Sequence, residues 1–203
     1  MRSLALIIPS LVSLSLLAGD LPAPPVELPK TDNFQFTFQA RVRGEYRNNV
    51  FDFNDRLDSK TDDNWLLHRI RLGIEWQPLD WLQVTVQGQD VRESFSDRAD
   101  VPLQQGAEGD DAFDLRLASL EFGNPKQLSL KLGRQVLSYG DERLVGPLEW
   151  LNFSRTFDAV KLHYQQEDWW ADGFISSVVR PPPDIIRNSG AESFMSFNWS
   201  RRR

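Results

Sequence analysis

The stretch FQFTFQARVRGEY (34–46) alternates with a period of two. Phe34, Phe36, Phe38, Ala40, Val42, Gly44 and Tyr46 fall on one side; Gln35, Thr37, Gln39, Arg41, Arg43 and Glu45 fall on the other. Successive side chains of an extended chain point to opposite faces, so this is a strand with one apolar and one wet face. Soluble strands average about 5–6 residues. A tilted strand that crosses a bilayer needs about 9–11, and 34–46 is long enough for that.

The same pattern recurs downstream. In 66–77, Leu66, His68, Ile70, Leu72, Ile74 and Trp76 oppose Leu67, Arg69, Arg71, Gly73, Glu75 and Gln77. Alternation continues in 82–89, 128–133 and 159–165, and weaker strands are expected at 171–179 and 194–199. The segment 113–122 slips in parity near Leu117, which predicts a bulge. Parity also breaks at Arg134 after Gly133. The connections alternate in length: long at 48–65, 90–112, 140–156 and 180–192, short at QPLDW (77–81), GNPK (123–126) and QQEDWW (165–170). Long outer loops alternating with short inner turns mark a transmembrane β-barrel. Trp76, Trp81, Phe122, Trp169 and Trp170 gather at the short turns, where an aromatic girdle would sit at the lipid boundary. The expected fold is therefore all-β, an antiparallel transmembrane barrel, with seven or eight strands counted in this chain. The rival is a secreted β-sandwich of jelly-roll type that binds acidic polysaccharide.

The start of the chain reads as an export signal. Met1-Arg2 is followed by an apolar run to Leu17 and by the small residues Ala18-Gly19, which assigns 1–19 to a signal peptide. Asp20 stands where a lipoprotein would carry Cys. The Pro-rich segment 20–33 reads as an extended linker, leaving 34–203 for the barrel. The 203 residues contain no Cys, which excludes a disulfide scaffold and a Cys-based zinc site. Two His residues do not build a His-rich metal site. There is no G-x-S-x-G, phosphate-binding loop or H-E-x-x-H. Adjacent acids such as Asp110-Asp111 and Asp141-Glu142 do not by themselves set the facing geometry of a glycosidase. The chain is thus read as a non-enzyme with no cofactor, no metal and no nucleic-acid partner.

If the apolar faces meet lipid, the wet faces line a lumen. They contribute Arg41, Arg43, Arg47, Arg69, Arg71, Lys131 and Lys161 against Glu45 and Glu75. The net charge of the chain is −6, yet its lumen is basic. The surplus acid lies in the loops, at Asp52, Asp55, Asp58, Asp62 and Asp63, and at Glu108, Asp110 and Asp111. These clusters lack EF-hand spacing and are read as solvated loops. Rings of Arg and Lys favour anions, and guanidinium pairs with carboxylate bidentately, so an anionic oligo- or polysaccharide is the expected cargo. The bland alternative is that these cations pair with acids on neighbouring strands and only stiffen the wall. The segment 133–164 combines Gly140 and Gly146 with Arg134, Asp141, Glu142, Arg143, Arg155 and Asp158. With Tyr139, these residues are expected to form a loop that folds inward and constricts a pore.

The run LGRQVLSYGDERLVG…EW.NFSRTFDAVKL, with HRIRLGIEWQPLDWLQVTVQGQD upstream, resembles the alginate-export family of outer-membrane barrels. The resemblance implies a monomeric barrel of about 18 strands in the bacterial outer membrane, inserted by the barrel-assembly machinery, with an Arg-rich lumen that passes a polyuronate. The basic positions matching that role are Arg41, Arg43, Arg69, Arg71, Lys131, Arg134 and Lys161. Seven or eight strands fall short of that number, and the chain ends in WSRRR rather than on a strand with a terminal aromatic residue. The expectation is therefore an N-terminal part of a larger barrel.

Overall fold

Alternation with a period of two organises the whole structure, a computed structural model that describes residues 26–27, 33–48, 62–96, 111–179 and 193–201. Nine strands form one sheet in sequence order: β1 (Val26–Glu27), β2 (Phe34–Asn48), β3 (Asp62–Leu79), β4 (Leu82–Ser94), β5 (Asp111–Asn124), β6 (Leu128–Gln135), β7 (Thr156–Gln165), β8 (Trp169–Val179) and β9 (Ser193–Arg201). Every neighbouring pair is antiparallel. The sheet is open, with β1 and β9 at its edges. Each strand expected from alternation is present, and several extend past their expected ends. The signal segment 1–19 and the acids Asp52, Asp55, Asp58, Glu108 and Asp110 lie outside the described residues.

Three local differences have physical reasons. Val26 and Glu27, placed by composition in a linker, pair with Phe38 and Thr37; an extended segment flanked by prolines can still add to a sheet edge. Asp62, Asp63 and Asp111, read as loop acids, begin strands. Asp63 is buried and accepts a hydrogen bond from Ser96 Oγ at 2.8 Å. The parity break at Arg134 is absent: Arg134 stays in register opposite Ala118 and Asp158. The preceding Gly133 has φ +106°, and a Cβ there would run into the Ala118 carbonyl, so glycine is required at this close approach.

The bulge expected near Leu117 is present. Gln87 faces Leu117 and the next residue, Gly88, faces Leu115. Arg116 is the extra residue, and it is 8% exposed. A bulge re-aims a side chain, and here it adds a guanidinium to the polar face.

The two faces are inverted relative to a water-soluble sheet. On the apolar face Leu72 is 56% exposed and Ile175 58%, whereas on the polar face Arg69 is 0% exposed. Aromatic pairs border the apolar face at the short-turn end: Phe34 on Trp76 at 5.6 Å, Trp81 on Phe122 at 6.4 Å, and Tyr164 with Trp169 at 5.2 Å. The buried apolar cluster of Leu137, Phe157, Ala159 and Phe174 is small. It lies where the segment after β6 leaves the wall.

Candidate functional site

Residues 136–155, between β6 and β7, reach back to the polar face of β2–β5. Their first leg is fixed by Tyr139. Its ring stacks on Phe174 at 5.2 Å and its hydroxyl donates to Asp172 Oδ2 at 2.7 Å. Asp172 also bonds His163 Nδ1 and lies 3.8 Å from Lys161 Nζ. Burial, then the hydrogen bond to the Asp172 carboxylate, pushes the Tyr139 phenol up, so it is a proton donor at every physiological pH.

The second leg brings Glu149 onto three arginines. Glu149 Oε2 is 2.9 Å from Arg71 Nη1 and 3.4 Å from Arg69 Nη2, while Oε1 is 2.5 Å from Arg116 Nη2. Arg71 also donates to Gln89 Oε1 at 2.6 Å and Ser154 Oγ at 2.7 Å. Arg116 donates to Gln87 Oε1 at 2.7 Å. Arg69 donates to the Asn152 carbonyl at 3.1 Å and to Gln39 Oε1 at 3.1 Å. Arg41 donates to the carbonyls of Glu149 at 2.9 Å and Leu151 at 3.1 Å. Arg43 bonds the Trp150 carbonyl and lies 4.3 Å over the Trp150 ring. Asn152 is fully buried and ties the loop to the His68 carbonyl at 3.1 Å.

The strand register explains why an acid is needed here. Arg41 is directly opposite Arg69, and like charges facing across a ladder repel. The loop supplies the compensating carboxylate. Burial works to raise the Glu149 pKa, but Arg71, Arg116 and Arg69 outweigh it and hold the carboxyl below the usual carboxylate range. A group depressed in the folded state contributes stability that is complete above its ordinary pKa and fades as pH falls through the lower folded value. The clamp should thus persist as pH falls through about 4.3, the ordinary Glu value, and open only below that. With no native Cys, a fluorophore on Leu148→Cys, beside Glu149, reports this: its mobility should stay constant through the ordinary range and rise at lower pH.

The loop thus lies over the polar face of the sheet, and its contacts differ from those expected. Of the six residues proposed for the constriction, Tyr139 makes a side-chain anchor. Asp141 and Arg143 pair at 3.8 Å at the exposed tip. Glu142 has φ +58° and accepts from Ser138 Oγ at 2.6 Å. Arg155 donates its backbone N–H to the Pro147 carbonyl at 2.5 Å. Asp158 belongs to β7, not to the loop. It shares the parity of Val160 and Leu162 and pairs with Arg134 at 3.0 Å.

Arg134 is likewise corrected: it stands on the leucine face at the loop end of β6, where Asp158 and the Leu115 carbonyl accept its hydrogen bonds. The structure brings Arg41, Arg43, Arg69 and Arg71 together. Lys131 and Lys161 remain on the polar wall beside Glu121, at 3.5 Å, and Asp172. Sequence reading missed Arg116 and Glu149. The signal for Arg116 was the parity slip beside it; for Glu149 it was an acid between Pro147 and Trp150, hidden among more conspicuous loop charges.

Comparison with known proteins agrees with this architecture. The alginate export family matches residues 32–182. Neither the curated proteins nor the solved structures give a significant match. The family match covers well over half of the sequence and spans all of β2–β8, including the inward loop, and the chain belongs to the alginate-export family.

Proposed function

We propose that the chain forms part of the wall of an outer-membrane channel that passes anionic polysaccharide, an alginate-like polyuronate, along its arginine face. The observation that carries this reading is the inversion of the two faces. Apolar side chains of β2–β8 stand exposed in one band, and the buried charges lie on the opposite side with the inward loop. A contiguous apolar band of this extent marks a partner surface, and lipid bordered by aromatic residues fits it. The guanidinium cluster supplies charge-assisted donors for carboxylates. Family membership supports transport rather than catalysis.

The same reading includes residues 1–19 as the export signal, 20–33 as a linker, insertion by the barrel-assembly machinery and a monomeric barrel. Lipid does not tolerate unpaired sheet edges, so further strands close the two edges of the described sheet. The β-sandwich alternative requires a second sheet over the apolar face, and all described strands lie in one sheet.

Two measurements test the proposal. The expressed chain should fractionate with the outer membrane. Purified in detergent, it should bind an oligomannuronate at least about tenfold more tightly than a neutral oligosaccharide of equal length, with affinity falling as salt screens the arginines. A soluble periplasmic protein without that preference would overturn it.

A further inference from the structure

We infer that Arg69, Arg71 and Arg116 form a uronate-carboxylate subsite that Glu149 occupies as an internal stand-in, and that cargo enters by displacing Glu149 together with loop segment 148–154. This rests on the channel reading and adds how the path is held shut. A uronate carboxylate offers guanidinium the same pair of acceptor oxygens as Glu149, which already engages a different arginine with each oxygen at its shortest contacts, 2.5 Å and 2.9 Å. One carboxylate serves three buried guanidiniums, so the cluster keeps positive charge to attract a second anion. The occupant belongs to a loop rather than to the wall, and its side chain is 30% exposed where that of Arg69 is 0% exposed. An incoming anion can therefore reach it.

The loop also shows where it would give way. Leu148 has φ +50° and Ser154 φ +54°. Both are non-glycine residues in the left-handed region, which is costly for a side chain with a Cβ, and they flank the segment that holds Glu149. Releasing that segment relieves both positions. Tyr139 on Asp172 lies outside it, so the first leg of the loop stays anchored while the Glu149 leg moves.

The test uses the full chain in detergent, a mannuronate trimer and a spin label on Leu148→Cys, an exposed position within the segment that moves. Glu149→Gln keeps the shape and removes the competing charge, and should bind the trimer about tenfold more tightly, the effect of one pKa-unit equivalent of interaction. In the chain that retains Glu149, saturating trimer should raise label mobility, while a neutral trisaccharide should not. Unchanged affinity in Glu149→Gln with a label that ignores the trimer would overturn the inference; if the anionic preference persisted, the channel reading would stand. Loss of that preference in both chains would overturn both. Should Glu149→Gln fail to fold, the label response of the Glu149-containing chain decides alone.

Discussion

Leu72→Arg, near the middle of β3, is expected to reduce folding stability in lipid vesicles by about 2–4 kcal/mol, the cost of a cation on the lipid face at the bilayer midplane. Leu72 lies opposite Phe38 on β2 and Gly88 on β4, and it is 56% exposed. In a water-soluble protein, arginine at a position this exposed would change stability by no more than about 0.5 kcal/mol. The size of the effect therefore reports what covers the apolar face. Glu75→Gln on the opposite face of the same strand is the control. Glu75 accepts from Gln83 Nε2 at 3.1 Å, a bond that an amide oxygen can retain, so a change within about 0.5 kcal/mol is expected. Urea unfolding from vesicles measures both.

The second large effect is expected from Arg71→Ala. Arg71 is 5% exposed and bonds Gln39, Gln89, Glu149 and Ser154. Removing one partner of a buried ion pair costs about 3–5 kcal/mol because the other charge is left uncompensated. Arg69 and Arg116 still hold Glu149, which places the loss near the low end, about 3 kcal/mol. That loss should be local. Amide exchange in 148–154 should accelerate by about two orders of magnitude, since 1.36 kcal/mol corresponds to tenfold. Exchange in β7 and β8 should change little, because the Tyr139–Asp172 contact is untouched. Hydrogen exchange resolved by residue checks this; uniform acceleration across the sheet would instead mark Arg71 as a general support of the wall.

The strands were legible because alternation is a local property. Each of 34–46, 66–77 and 128–133 states its own two faces without reference to the rest of the chain. The short turns were legible for the same reason: Pro78 with Asp80, and Asn124 with Pro125, sit between apolar runs. The bulge at Leu117 was legible as a slip in parity. Its consequence was not, because which side chain a bulge re-aims depends on the register of the partner strand. Glu149 was hidden for a related reason: its partner Arg71 is 78 residues away, and no local pattern ranks it above Asp141 or Glu142. Those two acids, adjacent to Arg143, look like a charged motif, yet they stand at the exposed tip. Arg134 misled in the opposite direction. A cation after Gly133 suggested the lumen, whereas a strand end can hold a cation on its apolar face when a neighbouring strand supplies an acid, here Asp158.

The central claim is that the apolar face of this sheet meets lipid while the arginine face meets water and cargo. A cysteine scan of β2 tests it most directly, because the native chain has no Cys to interfere. Fluorophores at 34, 36, 38 and 42 should be quenched by nitroxide carried on lipid tails and should resist a water-soluble quencher. Fluorophores at 35 and 37 should show the reverse. Even-numbered positions that lipid nitroxide leaves unquenched would contradict the account and place the apolar face against protein instead.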